Sequence, residues 1–293
     1  MKPYEWMVTY TPQTEWVEHR GILLWLAFFF IELGAGTFLI SSLFDNLPGM
    51  LTGWLICAVL GGGAHLIYLG HPLRFWRIFI SSGWKTSWIS RGMYFVTLFL
   101  LLGIIYLILG SQANQAVPLL VATNIMAFLV IIYGGFAMNF VNGIPLWNTA
   151  ILPILYVVSG LWGGAGLTLV ITMAAGATKI GMAVEEWTRL LLVGFIILLA
   201  VYLVSIRYGS SAGKISVREM VRGKWAPLLW IMVIALGIVL PLGVVISSYT
   251  AGLTAIPVAL LYIAVFFELT GDLAMRYLIL KCGFYNPLVP VHL

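Results

Sequence analysis

Four ionisable residues stand inside stretches of sequence that otherwise hold almost no charge. Glu32 lies in an apolar run near 21–44, and Glu268, Asp272 and Arg276 lie in another near 252–276 at i, i+4 and i+8. On a helix that spacing stacks the three on one face, so Asp272 and Arg276 can pair along it, leaving Glu268, one turn deeper, free for proton transfer. Charged groups in hydrocarbon are costly and usually face a bundle interior or a water-filled cavity, which makes each a functional candidate. For Glu32 two readings stand: a buried structural carboxylate paired with a neighbour, or a member of a proton relay with Glu268, Asp272 and Arg276. It shortly precedes small residues, Gly34-Ala35-Gly36, that let another helix pack closely. His65 and His71 fall near the end of a further apolar run and are followed by Arg74 and Arg77. A histidine titrates near ~6.5 when unperturbed, so the pair can exchange protons around neutral pH; the plainer reading is two hydrogen-bonding residues at an interface. Asn124 and Tyr133, with Asn139 and Asn142 just beyond their run, add polar groups expected on the same side.

The elements that must hold these groups follow from composition. Of 293 residues, 62% are hydrophobic and 9% charged, whereas a soluble domain carries about 25% charged residues. A soluble enzyme is excluded. Eight apolar runs, near 21–44, 50–71, 92–111, 116–138, 149–173, 187–207, 226–248 and 252–276, each approach the ~20 residues that cross a bilayer. Runs of this length exclude the ten-residue alternation of a membrane barrel. The expected fold class is therefore an all-α integral membrane protein of eight transmembrane helices in two four-helix bundles, 21–138 and 139–293, preceded by a cytoplasmic segment 1–20. Glu5, Glu15 and Glu18 precede the first run, unlike the basic start of a secretory signal, so that run is expected to stay in the mature protein.

An even number of spans puts both termini on one side. That side collects Lys2, Arg20, Arg74, Arg77, Lys85, Arg91, Arg207, Lys214, Arg218, Arg222, Lys224, Arg276 and Lys281, 13 cations, against Lys179 and Arg189 opposite. Short loops rich in Lys and Arg stay cytoplasmic, so both termini and the 72–91 and 208–225 loops are expected in the cytoplasm. The 208–225 stretch reads as a solvated connector. The 72–91 loop interleaves cations with Phe75, Trp76, Phe79, Trp84 and Trp88, which suits either an interfacial aromatic belt or a docking or ligand-lining surface. The excess of +5 sets orientation first and does not imply nucleic acid. Two cysteines, Cys57 and Cys282, are too few for a four-thiolate iron–sulfur cluster, and no two spans offer facing histidines for a haem. The remaining histidines, His19 and His292, lie outside the spans.

Three motifs in order, Glu32-Leu33-Gly34-Ala35-Gly36-Thr37-Phe38-Leu39, then Leu69-Gly70-His71-Pro72-Leu73-Arg74-Phe75 with Ser87-Trp88-Ile89-Ser90-Arg91-Gly92, then Ile144-Pro145-Leu146-Trp147-Asn148, resemble the NrfD-like family. The likeness runs the length of the sequence to Phe267-Glu268-Leu269-Thr270-Gly271. That family comprises membrane subunits of polysulfide reductase and related molybdenum oxidoreductases. The resemblance implies an anchor without prosthetic groups that binds menaquinone or ubiquinone. It also implies electron exchange with a four-cluster-type iron–sulfur subunit, which serves a molybdopterin catalytic subunit in a prokaryotic cytoplasmic membrane. In the family a tyrosine of the fourth helix, twelve residues ahead of a Pro-Leu-Trp-Asn run, contacts the quinone. Tyr133 stands twelve before Pro145 and takes that role. The family site also uses a histidine and an asparagine of the first helix; span one has neither, and His65 or His71 is the expected substitute, with Arg74, Asn124 and Asn139 as further lining.

The leading reading is thus a quinone-reactive anchor, with a short histidine-assisted proton route to the cytoplasm and the deep carboxylates as a relay. Its rivals are a secondary transporter coupled to protons through Glu32 and Glu268, and a purely structural anchor. The charge distribution makes one expectation directly testable. A Ser211→Cys variant lacking Cys57 and Cys282 should react with an impermeant maleimide in inverted vesicles and not in intact cells; labelling of intact cells would reverse the orientation.

Overall fold

The computed structural model describes residues 13–80, 82–109 and 116–286, and they form helices and turns without a strand. The segments 1–12 and 287–293, with His292 and both termini, lie outside the described residues. Among the described residues, eight helices are long and apolar enough to cross a bilayer: α1 Gly21–Leu43, α2 Leu47–Tyr68, α3 Trp88–Leu109, α4 Val117–Asn139, α5 Ile151–Ala174, α6 Thr178–Gly209, α7 Leu228–Ala251 and α8 Val258–Lys281. At 1.5 Å rise per residue the shortest spans about 33 Å, enough for a hydrocarbon core of about 30 Å. The protein is an all-α multi-pass membrane protein.

Two helices are central. About two thirds of the apolar window of α1 is buried (67%), and 61% of that of α5, against 28% for α2, α3 and α6. Helix α1 packs on α2, α4 and α5, and α5 on α1, α4, α6 and α8, while α3 lies along α4 and α7 along α8. Lipid offers no hydrophobic drive between helices, so close approach depends on small residues. At the α1–α5 crossing a Cβ on Gly164 would stand 2.6 Å from the Thr37 nitrogen, and one on Gly36 would run into the Gly160 carbonyl. The two backbones therefore touch directly. Ser41 and Thr168 join across the same seam at 2.9 Å. Between α7 and α8, Gly237 and Gly271 make a similar contact.

Two helices widen locally. Residues Ile56–Gly62 of α2 and Leu228–Val239 of α7 are π-helical, a geometry frequent at functional positions. In α2 the wide turn ends just before His65 and brings Gly61 against the backbone of Ile31 in α1.

The end of the bundle where α1 begins and α8 ends is the basic face. Lys281, closing α8, pairs with Glu18 ahead of α1, and this hydrogen-bonded ammonium holds the Glu18 carboxyl below the usual carboxylate range. The Pro145-Leu146-Trp147-Asn148 run is a staple at this face. The Trp147 indole donates to the Ile279 carbonyl at 2.7 Å, and the Leu146 carbonyl accepts from the Tyr202 hydroxyl at 2.5 Å. Asn148 closes the turn on the Asn139 carbonyl and the Asn142 side chain.

Three sequence expectations are corrected. The solvated connector at 208–225 is a helix and not a loop: Ser210 caps a helix, Ser211–Arg222, that buries Val217 and Met220. Its glycines and serines masked an amphipathic repeat in which every fourth residue is basic. Helix α6 starts at Thr178 rather than 187, bringing Glu185 into the span. Helix α8 ends at Lys281, so Arg276 is buried within the bundle and is no loop cation.

The bare α1–α5 seam has a measurable consequence. Gly164→Val should lower the thermal midpoint of the detergent-purified protein, at an overpacking cost of about 1–3 kcal/mol. Gly243→Ala, where a Cβ meets nothing within 4 Å, should leave it unchanged.

Candidate functional site

The Arg276 guanidinium is 2% exposed and fully engaged at mid-bundle. Its Nη1 donates to Glu32 Oε2 at 2.6 Å, Nε to Asp272 Oδ2 at 3.0 Å, and Nη2 to Ser159 Oγ at 2.5 Å. The ring of Tyr156 lies 4.4 Å from its centre. One cation thereby ties α1, α5 and α8 together. Long helical side chains lean toward the helix N-terminus, so Arg276, near the basic end of α8, reaches down to the level of Glu32 at the middle of α1. Two carboxylates share one guanidinium, and each keeps an oxygen without a partner, Glu32 Oε1 and Asp272 Oδ1. Ionised together they carry one negative charge in excess, and a single proton would neutralise the cluster.

The free oxygen of Glu32 fills a notch in α4. A Cβ on Gly134 would collide with it. The adjacent residue of α4 is Tyr133, 2% exposed, whose hydroxyl meets Nε2 of His65 in α2 at 2.8 Å. Nδ1 of His65 faces the Gly61 carbonyl at 3.3 Å. A carbonyl can only accept, so in the neutral ring Nδ1 carries the proton and Nε2 accepts from Tyr133. Phe28, one helical turn from Glu32 on α1, packs on both rings, at 5.6 Å from His65 and 5.5 Å from Tyr133. On the outer side Tyr133 rests against Gly92 at the start of α3. Nearby Trp88 stacks on Phe136 at 4.5 Å, with Arg91 above it at 4.7 Å.

Glu268 does not turn toward Glu32. Its Oε1 has no partner and lies against Gly166 of α5. It lines a cavity of about 20 Å³ with Glu185, Thr188 and Ser248, large enough for one water. Ser248 donates to Glu185 at 2.5 Å, and Arg189 pairs with the same carboxylate at 2.9 Å. Glu185 is in the early turns of α6 and Ser248 in the last turn of α7, both toward the face opposite the basic one.

Among the residues singled out from sequence, the structure gathers Glu32, Asp272 and Arg276 into one cluster and sets His65 with Tyr133 beside it. His71 is exposed beyond α2. Arg74 and Arg77 are exposed as well. Asn124 needs correction: its side chain accepts from Ser42 at the far end of α1, and nine residues of helix, about 13 Å, separate it from Tyr133. It belongs to the opposite end of the bundle because α4 runs toward the basic face. Asn139 contributes its main-chain carbonyl to a turn. Ser159, Tyr156 and Glu185 went unnoticed; the first two are ordinary residues in a small-residue helix, and Glu185 was hidden by the late start given to its span.

Comparison with known proteins agrees with this architecture. The family model described as polysulphide reductase, NrfD matches residues 19–287. A polysulfide reductase subunit of Wolinella succinogenes is 29% identical over 272 residues, covering 80% of this protein and 82% of its own length. Protein NrfD of Escherichia coli is 23% identical over 77% of this protein and 78% of its own length. The NrfD homolog of Haemophilus influenzae is 22% identical over 60% and 56%.

Removing one member of a buried ion cluster strands the others. Arg276→Met should lower the thermal midpoint in detergent, at a cost of about 3–5 kcal/mol lessened by whatever protonation the two carboxylates gain. Adding Glu32→Gln and Asp272→Asn to the same variant should recover much of the loss. A stable single variant would show that the guanidinium organises nothing.

Proposed function

The protein belongs to the NrfD polysulphide reductase family, and on that premise we propose that it is the quinone-reactive membrane subunit of a multi-subunit respiratory oxidoreductase. The observation that carries the proposal is the buried His65–Tyr133 pair, near the basic face and one residue along α4 from the notch occupied by Glu32. The donor set fits a quinone: a phenol and an imidazole in hydrogen-bond contact, packed against the ring of Phe28, with the Trp88–Phe136 stack about one helical turn away along α3 and α4. When bound, a quinone or quinol supplies a couple of two electrons and two protons. Tyr133 orients a ring oxygen of the ligand through its own hydroxyl. With Nδ1 of His65 committed to Gly61, the Tyr133 proton points at Nε2, and the phenol oxygen keeps a lone pair for a quinol hydroxyl. Proton movement from that hydroxyl to the phenol and from the phenol to His65 then needs no rearrangement of helices.

Two cysteines, both buried, provide no cluster ligation, so electrons must come from or go to a separate subunit. We assign that role to an iron–sulfur protein docked on the basic face, in turn serving a molybdopterin catalytic subunit. The relation to a protein named as one of the chains of polysulfide reductase supports a place in a multi-subunit complex. The carboxylates extend the reading. Glu32 with Asp272 and Arg276 at mid-bundle, then Glu268, then Glu185 with Ser248, form a discontinuous polar line from the quinone pair toward the opposite face. A relay along it would couple quinone chemistry to proton movement across the membrane. A secondary transporter would purify alone, whereas this subunit should bring an iron–sulfur protein and a larger cofactor-bearing subunit.

Tyr133→Phe keeps the ring against Gly92 and Phe28 and removes only the hydroxyl. Quinone-coupled turnover of the complex should fall roughly a hundredfold, the lower range for a lost acid–base group, while dye-linked activity of the catalytic subunit holds. His65→Gln should act alike and His71→Ala should not. Unchanged quinone kinetics in Tyr133→Phe would refute the assignment. In reconstituted vesicles, Glu268→Gln should reduce protons moved per quinone more than it reduces electron flow; equal losses would remove the relay.

A further inference from the structure

The helix Ser211–Arg222 spends its apolar face on the protein. Val217 and Met220 are buried against the second half of the bundle, and the Ser216 hydroxyl accepts from the Phe284 amide. Its other face is left with Lys214, Arg218 and Arg222 at i, i+4 and i+8, none of them buried. Arg207 from the end of α6 joins them. Lys214, Arg218 and Arg207 line two adjoining depressions, of about 230 and 920 Å³; Arg222 closes the smaller and Ser210 and Ser211 edge the larger. Among the described residues none of these four cations is paired with a carboxylate. Four like charges in one cleft repel one another, and a structure that keeps them converging is complementary to an anion.

The surroundings say where that anion resides. Tyr208 is 79% exposed beside Arg207, and Trp230, 51% exposed on α7, donates its indole N–H to the Val221 carbonyl of the connecting helix at 3.0 Å. Exposed Tyr and Trp mark the headgroup level of a bilayer. Below the cleft, α6 turns Ile197, Val201 and Val204 outward, each about half exposed, as a surface for acyl chains. A cationic cleft thus sits at headgroup depth directly above a lipid-facing apolar strip.

We propose that the cleft of Arg207, Lys214, Arg218 and Arg222 is a binding site for the phosphate headgroup of an anionic phospholipid, whose chains run down the outer face of α6. The site is separate from the His65–Tyr133 pair and independent of the quinone reading. Bound lipid fastens the connecting helix to the membrane surface and so holds α6 and α7 together at the basic face.

The test uses the intact detergent-purified protein and native mass spectrometry with phosphatidylglycerol and phosphatidylcholine. Phosphatidylglycerol should be retained in preference to phosphatidylcholine, with the preference shrinking as ionic strength rises. Each surface Lys or Arg contributes roughly a fivefold factor, so Lys214→Gln with Arg218→Gln and Arg222→Gln should weaken phosphatidylglycerol binding roughly a hundredfold. Lys224→Gln, in the same stretch but outside the cleft, should leave it unchanged, and Arg218→Gln alone gives a milder variant if the triple one folds poorly. Equal retention of the two lipids, or full retention by both cleft variants, overturns the proposal. So does loss of co-purifying protein subunits from the triple variant with lipid binding intact, which would make the cleft a protein docking surface. A thermal shift with inorganic phosphate equal to that with phosphatidylglycerol would also overturn it, by removing any need for the lipid.

Discussion

A guanidinium cannot rest in hydrocarbon without full compensation, and the centre of this molecule is arranged around that constraint. Arg276 obtains its partners from three helices: Glu32 from α1, Ser159 and the Tyr156 ring from α5, and Asp272 from its own α8. No pair of these helices would suffice. The glycines at 36, 160 and 164 are what let α1 and α5 come close enough for the groups to converge, so the small residues and the buried charge are two halves of one requirement.

The constraint reaches further because compensation is uneven. One cation faces two carboxylates, and the spare oxygen of Glu32 is pushed into the relief that α4 offers, the missing side chain of Gly134. This brings a carboxylate within a residue of Tyr133 and hence of His65. In the proposed function, what began as a packing problem becomes a proton address: the group that completes the ion cluster also borders the pair assigned to the quinone. Glu268, pointing the other way into the small cavity with Glu185, borders the far half in the same manner.

Much of this is legible in the sequence. Hydropathy alone marks eight spans, because twenty apolar residues in a row have few other fates, and the i, i+4 spacing marks the Asp272 and Arg276 pair. The motif order leads to the family and to Tyr133. What escapes is whatever depends on contact between distant segments. Nothing local in Ser159 announces a guanidinium partner 117 residues away, and nothing in Tyr156 announces that its ring will lie against the same group. His65 lies inside α2 just after its wide turn and faces Tyr133 of α4, whereas His71 lies beyond the end of the helix and is exposed; a repeat of 3.6 does not foresee which of them meets α4. Asn124 is misjudged for a simpler reason, since its distance along α4 carries it to the other end of the bundle. The connecting helix is missed because glycine and serine argue locally for a loop, while burial of Val217 and Met220 stabilises a helix.

The α1–α5 crossing has one more consequence. Backbone laid on backbone has no side chains to change rotamer, so the seam can neither swell nor shear by small repacking steps. It holds Glu32 of α1 and Ser159 and Tyr156 of α5, the partners of Arg276 on either side of it, at a fixed separation. With α1 fixed on that side, Glu32 keeps its place against Gly134 beside Tyr133, and a change of charge in the cluster would reach the His65–Tyr133 pair as a change of electric potential, by field and not by lever.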